Sequence, residues 1–139
     1  MTPEEIDPSD ELDPSIKYFI KAALGRKARE LVILDVRALT SFADIFLICS
    51  GRSNRQVSAI ADHVKVDLKK NGIAPLSIEG MKDGQWVLLD YGHIVVHVFL
   101  EPVREFYDLE GFWADAARIS IKEYVDITEI NENSGVVES

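Results

Sequence analysis

The sequence predicts one domain of the α/β class, a mixed α+β fold in which a mixed sheet of about five strands is packed by helices. Helical and strand patterns alternate in the first half of the chain, and three short strand patterns follow one another in the second half. The chain has 139 residues, 47% of them hydrophobic, which suffices for a single core. We therefore expect one mixed sheet with helices packed on it.

The first helix is predicted to begin at Asp13 and Pro14, because an Asp cap followed by Pro at the first helical position is a common helix start. Its apolar residues recur at helical spacing and are Ile16, Phe19, Ile20, Ala23 and Leu24. Residues 31–34 and 44–49 are short runs that are apolar at both odd and even positions. Such runs are typical of strands inside a sheet that is covered on both faces.

A second helix is predicted to follow Ser53, which forms a capping box with Gln56. Its apolar face consists of Val57, Ile60, Ala61, Val64 and Leu68. Asn71 and Gly72 end this helix with a left-handed cap. The strands that follow are predicted at residues 76–79, 85–90 and 93–100. A helical pattern resumes after Pro102.

A two-residue loop at Tyr91 and Gly92 is predicted to join the last two of these strands. This loop would place Trp86 opposite His97 across the hairpin. Because side chains alternate between the faces of a sheet, one face of the hairpin is wholly apolar and belongs in the core. Its residues are Val87, Leu89, Ile94, Val96 and Val98.

The other face of the hairpin has a mixed composition. It consists of Trp86, Leu88, Asp90, His93, Val95 and His97. An aromatic anchor with apolar neighbours and a polar rim is typical of a protein interface, so we expect this face to be exposed. The alternative is that a helix covers it and Trp86 belongs to the core. His93 and His97 would lie roughly 13 Å apart, too far to share a zinc ion.

The charge of the chain is divided along its length. The net charge is −9, but residues 1–14 and 123–139 carry eleven acids and no base, and we expect both segments to be acidic disordered tails. Between them, the predicted domain of residues 15–122 has a basic part, residues 15–70, with a net charge of +6. Residues 71–122 have a net charge of −4. This acidic half is a poor surface for nucleic acid and suits a basic protein partner.

Several functional classes are disfavoured by the composition. The longest apolar runs are about five residues, well below the roughly 20 that a membrane-spanning helix needs. The N-terminal segment is acidic and rich in proline, the reverse of a signal peptide, so a cytoplasmic location is expected. The single Cys49 lies in an apolar run, where a buried and inert thiol is expected. His63 lies beside the apolar face of its helix and is expected at the boundary of the core.

Three blocks of the sequence resemble the signature of the ribosomal silencing factor (Iojap-like) family. The first block is ADIFLICSGRSNRQV at residues 43–57, which continues with AIAD at residues 59–62. The second comprises Glu79 and Gly80, followed by WVLLDYG at residues 86–92 and VVHVF at residues 95–99. The third comprises Arg104, Phe106, Tyr107, Leu109, Glu110 and Trp113. The resemblance covers roughly residues 17 to 118, and the three blocks stand in the family's order.

The resemblance implies a specific partner and no catalysis. Proteins of this family bind ribosomal protein number fourteen of the large subunit and thereby prevent the small subunit from joining, which represses translation. Organellar relatives are linked to assembly of the large subunit. The matching residues that become contact candidates are Glu79, Trp86, Leu88, Asp90, Tyr91, His97 and Tyr107. No cofactor, metal, membrane or sequence-specific nucleic acid is implied, and the exposed hairpin face makes a homodimer of the free protein plausible.

The alternative is a nucleotidyltransferase-like enzyme with a degenerate or unrecognised metal site. The family's fold is similar to that of nucleotidyltransferases, and residues 51–53 precede a helix in the way of their glycine–serine turn. That chemistry requires carboxylates that converge on a metal ion, usually from the next strand. Here a helix follows instead, and Asp62 and Asp67 lie on different faces of it. Arg52 and Arg55 are expected to be solvated or paired with Asp44. Phe106, Tyr107 and Trp113 are expected to pack a terminal helix on the sheet.

Overall fold

The computed structural model describes residues 12–124, which form a six-stranded mixed sheet with helices on both faces. The elements are α1 (Ile16–Leu24), β1 (Arg29–Asp35), β2 (Ile45–Gly51), α2 (Asn54–Lys70), β3 (Ser77–Glu79), β4 (Trp86–Asp90), β5 (Ile94–Leu100), α3 (Glu101–Tyr107), α4 (Leu109–Phe112), β6 (Ala117–Arg118) and a 3-10 helix (Ile121–Glu123). The predicted mixed α+β domain is confirmed. The sheet has one more strand than expected, because β6 pairs with the edge of β1.

The strand order is β3-β4-β5-β2-β1-β6, and only β2 and β5 are parallel neighbours. These two strands lie at the centre and are buried along most of their length, as their uninterrupted apolar runs predict. A tight turn joins β4 to β5, and the hairpin predicted from the sequence supplies two of the six strands.

Helices α1 and α2 pack on one face of the sheet and enclose the main core. Its largest buried residues include Phe19, Ile20, Leu47, Ile60, Leu68 and Leu89. Ser53 caps α2 by accepting a hydrogen bond from Gln56 N–H, as predicted, and Gln56 Oε1 in turn accepts from Arg52 N–H. The regular part of α1 begins at Ile16, two residues later than expected, and Asp13 caps the turn before it through Ser15 N–H.

Helices α3 and α4 pack on the opposite face of the sheet and enclose a second, smaller core. Its buried residues are Leu34, Val36, Ala43, Ile48 and Phe99. Helix α3 is capped by Asp108, whose left-handed backbone (φ 45°) redirects the chain and whose carboxylate accepts from Gly111 N–H. The two short helices cover β2 and β5, whereas β3 and the outer part of β4 remain open on this face.

The register of the β4–β5 hairpin differs from the predicted one by two residues. Trp86 is opposite Phe99, and His97 is opposite Leu88. The reason is that the two-residue loop consists of Gly92 and His93, with Tyr91 N–H donating to Ile94 C=O. Gly92 has a positive φ of 86°, so glycine stands at the first loop position, as a type II′ turn requires. The shift is an even number, so the assignment of strand residues to the two faces is unchanged.

The two acidic tails fall largely outside the described residues. Leu12 and Tyr124, at the two ends of the described chain, both pack against the main core. Ordered packing therefore extends slightly beyond the predicted domain of residues 15–122. No helix among residues 12–124 is long and apolar enough to cross a membrane.

Candidate partner-binding surface

Five of the seven predicted contact residues lie together on the open part of the second sheet face. Glu79 is paired with Leu88 across β3 and β4, so both point to the same side of the sheet as Trp86 and Asp90. Tyr107, at the end of α3, contacts Trp86 with ring centroids 5.0 Å apart. We call this surface the docking face and define it by Glu79, Trp86, Leu88, Asp90, Val95 and Tyr107, all of which are exposed or half-buried.

Trp86 is the central aromatic residue of the docking face, and it is held in place on three sides. Its ring stacks on Phe99 at 4.8 Å and contacts Tyr107. Its indole Nε1–H donates a hydrogen bond to His97 Nδ1 at 3.1 Å. The sequence left open whether this face is exposed or covered by a helix. The structure lies between the two, because Tyr107 of α3 covers one edge of the Trp86 ring while the residue stays half-buried.

His97 is not an exposed contact residue, which corrects the prediction. It lies on the expected face but is only 5% exposed, because Phe46, Trp86 and Phe99 surround its ring. Burial lowers the pKa of His97 to about 4, so the imidazole is neutral near pH 7. A neutral ring that accepts at Nδ1 carries its proton on Nε2. His97 therefore supports the docking face from beneath.

Tyr91 and His93 also lie elsewhere than predicted. Tyr91 is 6% exposed and packs edge-on against Phe19 of α1, in the main core on the opposite side of the sheet. His93 Nε2 lies 3.2 Å from Ser15 Oγ near the start of α1. Both differences follow from the position of the loop. His93 belongs to the loop rather than to β5, and Tyr91 and His93 both lie near α1 instead of on the sheet face that carries Trp86.

Two aromatic side chains of the short helices α3 and α4 are exposed, and one of them, Phe106, was expected to pack on the sheet but instead extends the docking face. Phe106 is 81% exposed and contacts Tyr107, with ring centroids 5.1 Å apart. Phe112 is 79% exposed and contacts Trp113, which itself packs in the second core against Phe46. The helical spacing of these residues identified a helix but not its exposed side, because α3 is too short to show a periodic apolar face.

The segment of the chain that carries the docking face is strongly negative. Residues 79–110 carry seven acids against two bases, a net charge of −5. One of the two bases, Arg104, is buried and is paired with Glu110 at 2.9 Å, so these two opposite charges largely cancel. Asp90 is half-buried, and its Oδ1 accepts a hydrogen bond from Gly92 N–H at 2.8 Å. An apolar surface with an acidic rim suits a basic partner.

The glycine–serine turn before α2 is accounted for by packing and capping. Gly51 is buried, and a Cβ there would lie 3.1 Å from Val57 N. The polar groups of Ser53 and Gln56 are used in the helix cap described above. Arg52 and Arg55 are exposed, as expected. No group of three or more His, Cys, Asp or Glu residues within the described part of the chain is arranged to hold a metal ion.

Cys49 and His63 lie where the sequence predicted. Burial raises the pKa of the Cys49 thiol to about 12, so the thiol stays protonated. His63 is half-buried at the contact between α1 and α2, where a Cβ on Gly25 would lie 2.7 Å from His63 Nε2. Burial lowers the pKa of His63 as well.

Comparison with known proteins identifies the family. The family model for the ribosomal silencing factor during starvation matches residues 9–137. A ribosomal silencing factor from Bacillus subtilis (strain 168) is 41% identical over 101 residues, which are 73% of this chain and 86% of that protein. The Mus musculus protein named mitochondrial assembly of ribosomal large subunit protein 1 is 31% identical over 111 residues, 76% of this chain and 49% of that protein.

A solved structure agrees with these matches. The crystal structure of a protein from Chromobacterium violaceum superimposes with a TM-score of 0.72 and 40% sequence identity, covering 75% of this chain and 87% of that one. The family model covers nearly the whole chain, including the strands that carry the docking face and the helices on both sides of the sheet. This chain therefore belongs to the ribosomal silencing factor family.

Proposed function

We propose that this protein binds ribosomal protein number fourteen of the large ribosomal subunit through the docking face and prevents the small subunit from joining. Translation is thereby repressed in the cytoplasm. The activity is steric and requires no catalysis, because a bound protein of 15.6 kDa occupies space that the small subunit needs. The docking face, where a half-buried tryptophan and apolar neighbours stand inside an acidic rim, carries this proposal.

The composition of the docking face supports a protein partner. Trp86 and Tyr107 are residue types that dominate binding energy at protein interfaces, and Leu88 and Val95 provide apolar area beside them. Trp86 is held by its hydrogen bond and ring contacts, so little side-chain entropy remains to be lost on binding. The names of the relatives support a ribosomal partner, and that of the mouse protein refers to the large subunit.

The proposal is tested by truncating the central aromatic residue. Trp86→Ala should weaken binding to purified ribosomal protein fourteen by about 2 kcal/mol or more, which is about thirtyfold in Kd. The same variant should lose the ability to block joining of purified subunits, followed by light scattering. Titration calorimetry measures the affinity, and circular dichroism verifies that the variant is folded.

Phe42→Ala is the matched control, because Phe42 is 90% exposed, lies in the loop between β1 and β2 and is not one of the docking-face residues. This variant should bind and block joining as the unaltered protein does. If Trp86→Ala binds with full affinity, the docking face is not the contact surface. If both variants bind weakly, aromatic area in general rather than this face is responsible.

The same exposed face makes a homodimer of the free protein a second state to be tested. Tyr107 and Phe106 are more than half exposed and adjacent, and a second copy would cover them. Sedimentation equilibrium of the free protein should then show a dimer that Trp86→Ala dissociates. A monomer at all concentrations would restrict the docking face to the ribosomal partner.

A further inference from the structure

The layer formed by α1 and α2 concentrates the positive charge of the molecule. Residues 16–27 carry four bases and no acid, and α2 carries four bases and two acids, so this layer has a net charge of +6. Residues 28–53 carry three bases and three acids and contribute nothing. All eight bases of the layer are exposed. The layer lies on the face of the sheet opposite the docking face.

The eight bases have no ion-pair partners among residues 12–124. The ion pairs of that part of the chain join Arg29 to Glu101, Arg37 to Asp35, Arg104 to Glu110 and His93 to Asp13. Within the layer, Lys17 and Lys21 are four residues apart on α1, and Lys65 and Lys69 are four apart on α2. Like charges at this spacing destabilise a helix by a few tenths of a kcal/mol per pair.

Helix stability does not explain where these bases lie. Lys21, Lys69 and Lys70 lie in last turns, where cations interact favourably with the helix dipole. Lys17 and Arg55 lie in first turns, where a cation is unfavourable, and neither first turn contains an acid. The positive charge is therefore maintained at some cost to folding, which indicates an anionic ligand for the layer as a whole.

The chemistry of the layer favours a nucleic acid backbone over an acidic protein. A protein interface needs apolar anchors, and the exposed large apolar side chains of the two helices are Tyr18 and Val66, at 37% and 43% exposure. Lysine and arginine side chains on a regular helical surface suit the repeating phosphates of RNA, and binding releases the condensed counterions. Among the described residues of the α1–α2 layer, Tyr18 is the one exposed aromatic residue, which argues for contacts to the RNA backbone rather than stacking on bases.

We propose that the α1–α2 layer binds the phosphate backbone of ribosomal RNA, without base readout, as a second contact beside the docking face. The source of the RNA rests on the proposed function, since a protein bound to the large subunit has RNA as its neighbour. The domain would then lie between a basic protein on its acidic side and RNA on its basic side. The overall charge of −9 does not prevent this, because salt screens charges beyond about 8 Å.

The experiment measures binding of the full chain to a fluorescein-labelled RNA duplex by fluorescence anisotropy over a series of KCl concentrations. Affinity should fall linearly on a double logarithmic plot, because each phosphate contact releases counterions. The triple variant Lys21→Gln, Lys65→Gln, Lys69→Gln should bind the duplex with an affinity reduced about tenfold or more. Its affinity should also depend less steeply on the salt concentration. Two duplexes of unrelated sequence should bind equally.

The matched control removes the same charge from the rest of the domain. Lys82→Gln, Arg118→Gln, Lys122→Gln alters three exposed bases outside α1 and α2, and its RNA affinity should stay within twofold of the unaltered chain. Equal losses in both triple variants would overturn the proposal, because only net charge would matter. No binding by the unaltered chain at low salt would overturn it as well.

Two further measurements separate this proposal from the proposed function. The α1–α2 triple variant should bind isolated ribosomal protein fourteen normally but bind whole large subunits more weakly. Trp86→Ala should lose affinity for isolated ribosomal protein fourteen and retain its affinity for the RNA duplex. If the triple variant loses affinity for large subunits but not for RNA, the ligand of the layer is an acidic protein and the RNA proposal fails. If RNA binding persists while neither protein fourteen nor large subunits bind, the proposed function fails and the RNA surface stands.

Discussion

At the scale of single residues, the pair Trp86 and His97 links the docking face to the second core. The indole N–H is donated to a buried imidazole, and the imidazole ring lies among three aromatic rings. A histidine in this position must remain neutral, since a proton on Nδ1 would remove the acceptor and place a charge in an apolar environment. The orientation of the tryptophan therefore depends on the protonation state of a buried residue.

This arrangement predicts a loss of stability in acid. Burial lowers the pKa of His97 to about 4 in the folded protein, whereas histidine in an unfolded chain titrates near about 6.5. Folding therefore favours the neutral form of His97. This contribution to the free energy of unfolding is fully present above about pH 6.5 and is lost as the pH falls from there through about 4. The pKa difference corresponds to about 3 kcal/mol.

His97→Phe removes this titration while preserving a ring of similar size against Phe46 and Phe99. Urea unfolding is measured at neutral pH and at about pH 4.5 for both proteins. The unaltered protein should lose about 2 kcal/mol more free energy of unfolding between the two conditions than the variant does. Equal losses would mean that other groups account for the acid sensitivity of the fold.

At the scale of secondary-structure elements, Arg104 fastens α3 to the sheet. Its Nη1 donates to Ser50 Oγ of β2 at 2.8 Å, and its Nη2 donates to the carbonyl oxygen of Glu30 in β1 at 2.8 Å. The carbonyl is available because β1 has a register shift between Arg29 and Val32, and Glu30 there has a φ of 48°. The Glu110 carboxylate accepts from Nε at 2.9 Å and from Nη2 at 3.1 Å, along one edge of the guanidinium.

Arg104→Met should therefore destabilise the protein by about 3 kcal/mol or more, because the Glu110 carboxylate and two strand acceptors lose their partner. The exposed pair of Arg29 and Glu101, about 42% and 43% exposed, provides the comparison. Arg29→Met should cost less than about 1 kcal/mol, because solvent screens that pair. Chemical denaturation of the two variants gives both values, and similar losses would contradict the assignment of Arg104 as the fastening residue.

Most elements could be predicted from the sequence because their signals are local. Buried runs identified β1 and β2, and the cap at Ser53 identified the start of α2. The hairpin loop was placed one residue too early, although glycine at the first position of a two-residue loop is itself a local signal for Gly92 and His93. The two-residue strand β6 has no pattern of its own and forms only because the edge of β1 is available.

At the scale of the whole molecule, the docking face depends on how far α3 and α4 reach across the sheet. Alternation in β4 placed Trp86, Leu88 and Asp90 on one side, and this could be predicted. The sequence could not predict which of these residues a helix covers. That depends on the bulge in β1 and on Arg104, which are far from β4 in sequence. The same packing buried His97 and left Phe106 exposed. The sequence showed a basic first half and an acidic second half, but it did not show that these charges lie on opposite sides of the sheet.

This separation predicts that binding of ribosomal protein fourteen weakens as salt rises. Attraction between an acidic face and a basic partner is screened by ions, whereas apolar contact is not. The variant Glu79→Gln, Asp90→Asn removes two charges from the docking face, and asparagine retains the oxygen that accepts from Gly92 N–H. Its affinity should be lower than that of the unaltered chain at low salt and equal at high salt.

The control for this prediction removes two charges from the opposite side of the molecule. Asp62→Asn, Asp67→Asn changes the net charge by the same amount on α2, and it should leave both the affinity and its salt dependence nearly unchanged. The ligand is isolated ribosomal protein fourteen, so that RNA does not contribute. If both double variants lose affinity equally at low salt, total charge governs the encounter. If neither does, the acidic rim has no part in binding, and the contact depends on Trp86 and its apolar neighbours alone.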